Sequence, residues 1–230
     1  MYKRQGLQML DLRGCSGLVS LPDRLGELKT LQTLDLYGCS GLVSLPERLG
    51  ECTGLQALVL DGCSGLLSLP DLSGLAQLEV NNLPGHLQPW KDSGYKAFSY
   101  AAWLDTQIDE GTLTGLRCPS TVTSLPERLG ELKTLQTLDL TRCSGLVSLP
   151  ERLGECTGLQ TLELGNCSGL VSLPERLGEC TALQTLDLCF CSGLVSLPDL
   201  SGLAQLEVRY LPDHLQPWKA SGYKAFSLSK

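Results

Sequence analysis

The sequence predicts an α/β solenoid, in which stacked coils place a parallel β-sheet on a concave face and short helices or 3₁₀ turns on a convex face. Two observations predict it. The first is that the segment CSGLVSLPERLGE occurs three times and has three near-copies, which together begin at Cys15, Cys39, Cys63, Cys143, Cys167 and Cys191. The second is that leucines recur at fixed positions in units of 24 residues, as from Leu31 to Leu55. One such unit cannot bury its own leucines, so neighbouring units have to stack into a continuous core.

Each unit begins with a strand pattern. Leu34 and Leu36 alternate with the polar or outward residues Thr33, Asp35 and Tyr37. This period of two is typical of a strand with one buried face. The leucines are therefore expected to point inward and the other three side chains outward.

The rest of the unit returns the chain to the next strand. Gly41 is expected to let the chain turn, and Pro46 lacks an amide at the point where the strand ladder has ended. Glu47 to Glu51 predicts a short helical or 3₁₀ segment, with Leu49 pointing back into the core.

The full unit reads L-x-x-L-x-L-x-x-C-x-x-L-x-x-L-P-x-x-L-G-x-L/C-x-x, which resembles the leucine-rich repeat family over nearly the whole chain. The resemblance implies a leucine-rich repeat solenoid, or horseshoe. The Cys and LP positions are most similar to repeats of plant intracellular immune receptors of the TIR/nucleotide-binding class. The shorter units, which contain LPDLSGLAQLEV, are similar to bacterial effector repeats. The likeness concerns the repeat type only, because no nucleotide-binding or signalling pattern accompanies it.

Two blocks are visible, because residues 55–99 recur at 183–227 with few changes. We predict repeats with a cap-like end over 1–99, an interrupting helix or loop over 100–110, and repeats with a C-terminal cap over 111–230. The caps are HLQPWKDSGYKAFS and HLQPWKASGYKAFS, whose Trp and Phe are expected to cover leucines that lack a next coil. Whether the two blocks stack as one solenoid is open from the sequence.

Composition and charge exclude several classes of partner. The formal net charge of −7 argues against nucleic acid, which normally needs a basic stripe. No apolar run approaches the length of a membrane span, no basic cluster suits an anionic membrane, and the first ten residues lack a signal-peptide pattern. The eleven cysteines are an odd number and mostly share one repeat position, which predicts reduced thiols and a cytoplasmic protein.

The cysteines are expected to be structural. The column that begins at Cys15 and ends at Cys191 is predicted to point inward, where each thiol can meet a backbone carbonyl of the turn. Cys52, Cys156 and Cys180 replace leucine and are predicted to be core residues. Cys189 points outward and is the thiol expected to react readily. No second pair completes a zinc site, so no metal is predicted.

No catalytic constellation is found, and no cofactor is predicted. Ser93-Gly-Tyr-Lys96 and Ser221-Gly-Tyr-Lys224 match S-x-x-K, but the S-D-N and K-T-G segments that accompany it in acyl-enzyme families are missing, so we interpret the match as chance. His86 and His214 have no third partner in view.

The outward strand positions remain as candidate sites. One position carries an acid in most units, and two later positions vary from unit to unit, which is the pattern of a binding surface on a constant frame. The predicted partner-binding residues are Asp35, Tyr37, Asp139, Arg142, Glu163, Asn166, Asp187, Phe190, Glu207, Arg209 and Tyr210. Two other interpretations stay open: the acids serve solubility, or the variable positions drift without constraint.

The function predicted from these features is a non-enzymatic protein–protein interaction module. Its concave face would recognise a protein or peptide with basic and aromatic character, since an acidic column and arginine or aromatic anchors face outward. The alternative is a structural scaffold or self-assembling repeat protein, associating through the thin N-terminal cap MYKRQG and the leucines behind it. A substrate-recognition fragment of a larger receptor or ligase effector is a further alternative.

Overall fold

The computed structural model describes residues 6–228, which form two compact units, the first ending at Trp103 and the second beginning at Leu104. Most of the thin N-terminal cap predicted from the sequence, residues 1–5, lies outside the described residues.

The first unit is built around a four-stranded parallel sheet in the order β1-β2-β3-β5. Its strands are β1 (Met9–Asp11), β2 (Thr33–Asp35), β3 (Ala57–Val59), β4 (Ser68–Leu69), β5 (Glu79–Asn81) and β6 (Phe98–Ser99). Its helical segments are the 3₁₀ helices Asp23–Glu27, Glu47–Glu51 and Gly85–Leu87 and the α-helix α1 (Gln88–Asp92). A longer helix, α2 (Tyr100–Glu110), contains the boundary between the two units.

The second unit repeats this plan with a five-stranded parallel sheet in the order β12-β10-β9-β8-β7. Its strands are β7 (Gly115–Arg117), β8 (Thr137–Asp139), β9 (Thr161–Glu163), β10 (Thr185–Asp187), β11 (Ser196–Leu197), β12 (Glu207–Arg209) and β13 (Phe226–Ser227). Its helical segments are the 3₁₀ helices Glu127–Glu131, Glu151–Glu155, Glu175–Glu179 and Asp213–Leu215 and the α-helix α3 (Gln216–Ala220).

The predicted fold class, an α/β leucine-rich repeat solenoid, is confirmed by these elements and by their burial. The inward strand leucines Leu34 and Leu36 are fully buried, and Thr33 and Asp35 beside them remain partly exposed. Leu49 in the 3₁₀ helix is also fully buried, as predicted. The strands form one side of each coil, here called the strand face, and the 3₁₀ helices form the return side.

The repeated glycines allow close approach between coils in addition to the turn predicted at Gly41. A Cβ atom at Gly41 would overlap with the carbonyl oxygen of Ser16 in the preceding coil. The left-handed backbone at the end of β2 belongs instead to Gly38, where φ is +72°. The predicted turn at Gly41 is present, closed by the bond from the Leu42 amide to the Cys39 carbonyl oxygen, and the close approach of Ser16 is the further reason that this position needs glycine.

Two ladders of thiols link neighbouring coils within each unit. Cys63 and Cys167 each donate their S–H to a leucine carbonyl oxygen 27 residues earlier, at an Sγ–O distance of 3.1 Å. Cys52, Cys156 and Cys180 donate in the same way at 3.0 to 3.3 Å. Burial raises the pKa of the Cys167 thiol to about 12, so this thiol stays protonated at neutral pH.

Cys15 departs from the predicted inward position and is exposed. It lies in the first described coil, and the first described thiol bond between coils is the one that Cys39 donates to the Leu12 carbonyl oxygen. Cys189 is partly exposed, and the nine other cysteines are buried. The chain therefore has two accessible thiols rather than the single one predicted.

We expect iodoacetamide to alkylate Cys15 and Cys189 at least about tenfold faster than the buried cysteines, because only an accessible thiol can form and present its thiolate. Peptide mass spectrometry of briefly treated native protein measures this. The same treatment in urea should label all eleven cysteines and serves as the control. Equal labelling of Cys167 in the native chain would contradict the buried ladder.

The last coil of each unit has a register that the sequence does not predict. When the repeat units are aligned by sequence, Leu203 matches Leu183. Glu207 then falls next to Asp187, among the outward acids of the strands. In the structure Glu207 lies opposite Thr185, and Arg209 lies opposite Asp187. Glu79 likewise lies opposite Ala57. The sequence-based alignment of Glu207 with Asp187 is wrong, because the strand starts after Leu206 and uses Val208 as its inward residue.

Each unit ends in an aromatic segment folded over its last coil. Trp90 and Trp218 are fully buried, and their indole N–H groups donate to the carbonyl oxygens of Pro70 and Pro198 at 3.3 and 3.1 Å. The segment then adds a short antiparallel strand, β6 against β4 and β13 against β11. The leucines of the last coil are thus covered by chain that is not itself a repeat.

Candidate functional site

The strand face of the second unit carries an ordered row of charges. Its third strand positions are in register with one another and read, from β7 to β12, Arg117, Asp139, Glu163, Asp187 and Arg209. Three acids are therefore bracketed by one arginine at each end. We call these five residues the charged column.

The aspartates of this column also stabilise the backbone. The Oδ1 atoms of Asp139 and Asp187 accept the amides of Thr141 and Cys189 at 2.9 and 2.8 Å. Asp35 accepts the amide of Tyr37 at 3.0 Å in the first unit. Such bonds to the amide two residues later hold the turn that follows each strand. Turn formation therefore accounts for the repeated Asp independently of any partner.

Intramolecular ion pairs compensate only the ends of the charged column. Arg117 Nε lies 3.3 Å from Asp139 Oδ2, and Arg209 Nη2 lies 2.9 Å from Glu207 Oε2. The hydrogen bond from Arg209 lowers the pKa of Glu207 below its usual value. Glu163 and Asp187 form no ion pair within 4.0 Å in the range 6–228, although Arg209, opposite Asp187 in the sheet, attracts it electrostatically. The middle of the column is thus the part open to a cation from outside.

A residue with left-handed backbone follows several of the strands, and the type of residue at this position differs between the two units. Gly14, Gly38 and Gly62 hold this position in the first unit, with φ between 72° and 74°. The second unit has side chains at its left-handed positions, namely Arg142 (φ 71°), Asn166 (φ 64°), Phe190 (φ 56°) and Tyr210 (φ 51°). A bulky residue in this region costs about 1–3 kcal/mol of backbone strain. The first unit avoids this cost at three of its strand ends by using glycine, and its last strand ends in Asn82 (φ 52°), a residue type that tolerates this region better than the Phe190 and Tyr210 of the second unit.

These side chains form the walls of two shallow depressions. Phe190 and Tyr210 are each 71% exposed, although both are large aromatic residues. Together with Leu211 and Pro212 they line one depression. The other, here called the strand-end groove, is lined by Arg142, Ser144, Asn166, Ser168, Phe190 and Ser192.

The predicted site residues are divided between the two units. Asp35 and Tyr37 lie in the first, where Tyr37 is 52% exposed. The second unit contains the rest: Asp139, Arg142, Glu163, Asn166, Asp187, Phe190, Glu207, Arg209 and Tyr210.

Sequence reasoning missed Arg117 and the serines of the strand-end groove. Ser144, Ser168 and Ser192 stand in the constant segment CSG, which the repeat pattern assigns to the frame. The available signal was their position, since each serine lies two residues after a variable one.

The return side carries a network of arginines and glutamates. Arg176 Nη1 lies 3.1 Å from Glu155 Oε1 in the preceding coil, and Arg176 Nη2 lies 2.9 Å from Glu179 Oε2 in its own. Hydrogen bonds from Arg152 and Arg176 lower the pKa of Glu155 to about 2. The arginines offset the acid columns here, as expected for a solvated outer face.

The residues considered for catalysis serve the caps. Ser93 Oγ donates to the Trp90 carbonyl at 2.7 Å, and Ser221 Oγ does the same with Trp218. The Nε2 atoms of His86 and His214 lie 3.0 and 2.9 Å from backbone carbonyl oxygens. Among the described residues no group of three or more His, Cys, Asp or Glu could hold a metal ion. Within residues 6–228, no helix combines the length and apolarity needed to cross a membrane.

Comparison with known proteins gives similarity in fold only. No protein-family model matches the chain, and no curated protein matches it. Among solved structures, the leucine-rich repeat domain of the type III effector XopL has 26% identity and a TM-score of 0.48, over 93% of this chain and 79% of that one. A leucine-rich repeat protein of Leptospira interrogans has 22% identity and a TM-score of 0.37, over 90% and 55%.

The Arabidopsis receptor kinase HAESA, solved with a peptide hormone and a co-receptor, has 22% identity and a TM-score of 0.35, over 90% of this chain and 34% of that one. The fold assignment rests on the strand register and burial of this chain rather than on these similarities.

Proposed function

We propose that this chain is a non-enzymatic protein-recognition module that acts in the cytoplasm and binds its partner on the strand face of the second unit. The partner presents basic and aromatic side chains to this face. The strands hold these outward side chains in register, and binding of the partner to them involves no chemical step.

The observation that carries this proposal is the exposure of Phe190 and Tyr210 beside the unpaired acids Glu163 and Asp187. Exposed aromatic residues are common energetic anchors of protein interfaces. A lysine or arginine of a partner can pair with the acids and also lie over an aromatic ring, which favours a cation. Retaining these aromatic residues at left-handed backbone positions costs stability, and binding is a reason to retain them.

A charge-neutral variant tests the proposal. Asp139→Asn, Glu163→Gln and Asp187→Asn together remove three negative charges, and Asn still accepts the turn amides that Asp139 and Asp187 hold. We expect affinity for a partner captured by the native chain to fall about tenfold at low salt, with a weaker dependence on salt concentration.

The matched control removes the same number of charges at exposed carboxylates elsewhere. Asp23→Asn, Glu47→Gln and Asp105→Asn should leave capture close to that of the native chain. If both triple variants bind alike, the strand face of the second unit is not the binding surface.

A second candidate function is self-association through the first coil, as a structural scaffold. It is supported by the open edge of β1, which pairs only with β2 among the described strands. Leu7, Met9 and Val19 around this edge are 46%, 51% and 59% exposed. Light scattering across a range of concentrations tests it, since a mass that stays at one chain would exclude this function.

Recognition on behalf of a larger receptor or ligase effector would place the chemical step in a domain outside these repeats.

A further inference from the structure

We propose that the strand-end groove binds an extended segment of the partner that carries an acidic side chain about three residues from an apolar one. The inference rests on the proposed function in one respect, since it takes the second unit to be the part that recognises a protein. It adds a second contact of opposite sign to the acids of the charged column.

The charge of the groove favours a carboxylate. Arg142 is the only formally charged residue among the six that line it. Its guanidinium forms no hydrogen bond or ion pair with any side chain described in the structure. Asp139, the acid of the same coil, is engaged with Arg117 and with the Thr141 amide instead. A carboxylate of the partner would therefore meet an uncompensated guanidinium, with which it can form two parallel hydrogen bonds.

The floor of the groove offers hydrogen bonds to a peptide backbone. Ser144, Ser168 and Ser192 follow one another in consecutive coils, about 4.8 Å apart. Their hydroxyl groups, like the amide of Asn166, have no side-chain partner in the described part of the chain. A row of hydroxyl groups that can donate suits the successive carbonyl oxygens of an extended peptide, including one that contains proline.

The spacing of the two ends sets the length of the ligand. Arg142 and Phe190 stand two coils apart, which corresponds to roughly 10 Å. A polyproline II segment rises about 3.1 Å per residue and repeats its direction every three residues. An acidic residue at Arg142 thus places the third residue after it against the exposed ring of Phe190.

The first unit provides an internal comparison. Gly14, Gly38 and Gly62 occupy the positions that Arg142, Asn166 and Phe190 occupy in the second. The first unit therefore has no side chain at these three positions, and its nearby cation, Arg13, is paired with Asp11. The three side chains that wall the groove in the second unit are thus replaced by glycine in the described part of the first.

Two synthetic peptides test the inference on the full chain. The probes are acetyl-Glu-Pro-Pro-Leu-amide and acetyl-Gln-Pro-Pro-Leu-amide, titrated into ¹⁵N-labelled protein while backbone amide shifts are followed. We expect shifts at residues 142–145, 166–169 and 190–193, and at least fivefold tighter binding of the Glu peptide. Arg142→Gln should abolish that difference, whereas Arg24→Gln, an equal charge change on the return side of the first unit, should preserve it.

Phe190→Gly should weaken both peptides alike, and it suits the left-handed backbone, so the variant is expected to fold. Equal binding of the two peptides, equal effects of Arg142→Gln and Arg24→Gln, or equal shifts with sodium acetate alone would each overturn the inference. If neither peptide binds but the triple variant Asp139→Asn, Glu163→Gln and Asp187→Asn still weakens capture of the partner, this inference is overturned and the proposed function stands. If the peptides bind as expected but the triple variant has no effect on capture, the proposed function is overturned and this inference stands.

Discussion

Replacing Gly154 with alanine is expected to destabilise the protein by about 3 kcal/mol. A Cβ atom at this position would overlap with the carbonyl oxygen of Arg176 and lie 2.7 Å from its carbonyl carbon. Arg176 belongs to the 3₁₀ helix of the next coil, whose backbone is fixed by the burial of Leu177 and Cys180. The methyl group can fit only if two coils move apart, which would loosen the core between them.

The matched control is Gly202→Ala, for which the expected effect has the opposite sign. A Cβ atom at Gly202 meets nothing within 4 Å, and its backbone is outside the left-handed region. Alanine there restricts the unfolded chain without a clash and should stabilise the protein by about 0.5 kcal/mol. Urea unfolding followed by circular dichroism measures both variants. Similar midpoints for the two would show that the coils are not in close contact at Gly154.

This contact explains why the frame segment repeats letter for letter. Gly26 and Gly130 meet the carbonyl oxygens of Arg48 and Arg152 in the same manner as Gly154 meets Arg176. Each coil is therefore the template against which the next one is packed. A change acceptable in one coil has to fit the coils on both sides of it.

The sequence was sufficient to predict the repeat and its inward residues. Leu34, Leu36 and Leu49 follow periods that depend only on the geometry of a strand and of a short helix, and all three are buried. Cys52 was predictable because it alternates with leucine at one position of the unit. Such local patterns do not require knowledge of neighbouring coils.

Register was not predictable in the last coil of each unit. Leu203 and Leu206 match the repeat pattern well, but the strand begins after them and uses Val208. The leucine pattern of the unit alone does not distinguish this register from the one in which Leu206 is the inward strand residue. Because Val208 is the inward residue, Arg209, rather than Glu207, lies next to Asp187.

The candidate site was predictable as a set of variable positions but not as a surface. Sequence comparison of the units identifies Arg142 and Phe190 as variable, yet it gives no φ angle. The glycines at positions 14, 38 and 62 were a signal that the position is left-handed. The serines of the groove were hidden by their constancy, because a residue can belong to the frame and still face solvent.

Replacing Trp90 with alanine is expected to destabilise the first unit by about 4 kcal/mol, since the change opens a large cavity at the end of its core. Trp90 is fully buried in the same cluster as Leu69, Leu72 and Leu87. Its ring packs edge-on against Tyr95 at 4.9 Å. Tyr210→Ala, at a side chain that is 71% exposed, is the control and should change stability by less than about 0.5 kcal/mol.

Hydrogen exchange can locate the effect, because the cap also holds the backbone of the coil beneath it. The Leu72 amide donates to the Tyr95 carbonyl at 2.8 Å, and the Leu200 amide donates to the Tyr223 carbonyl at 2.8 Å. In a repeat protein each coil depends mainly on its neighbours. Trp90→Ala should therefore speed exchange at Leu72 and leave Leu200 protected, whereas Trp218→Ala should do the opposite. Protection lost at both amides in either variant would mean that the caps stabilise the chain as a whole rather than the coil that each one covers.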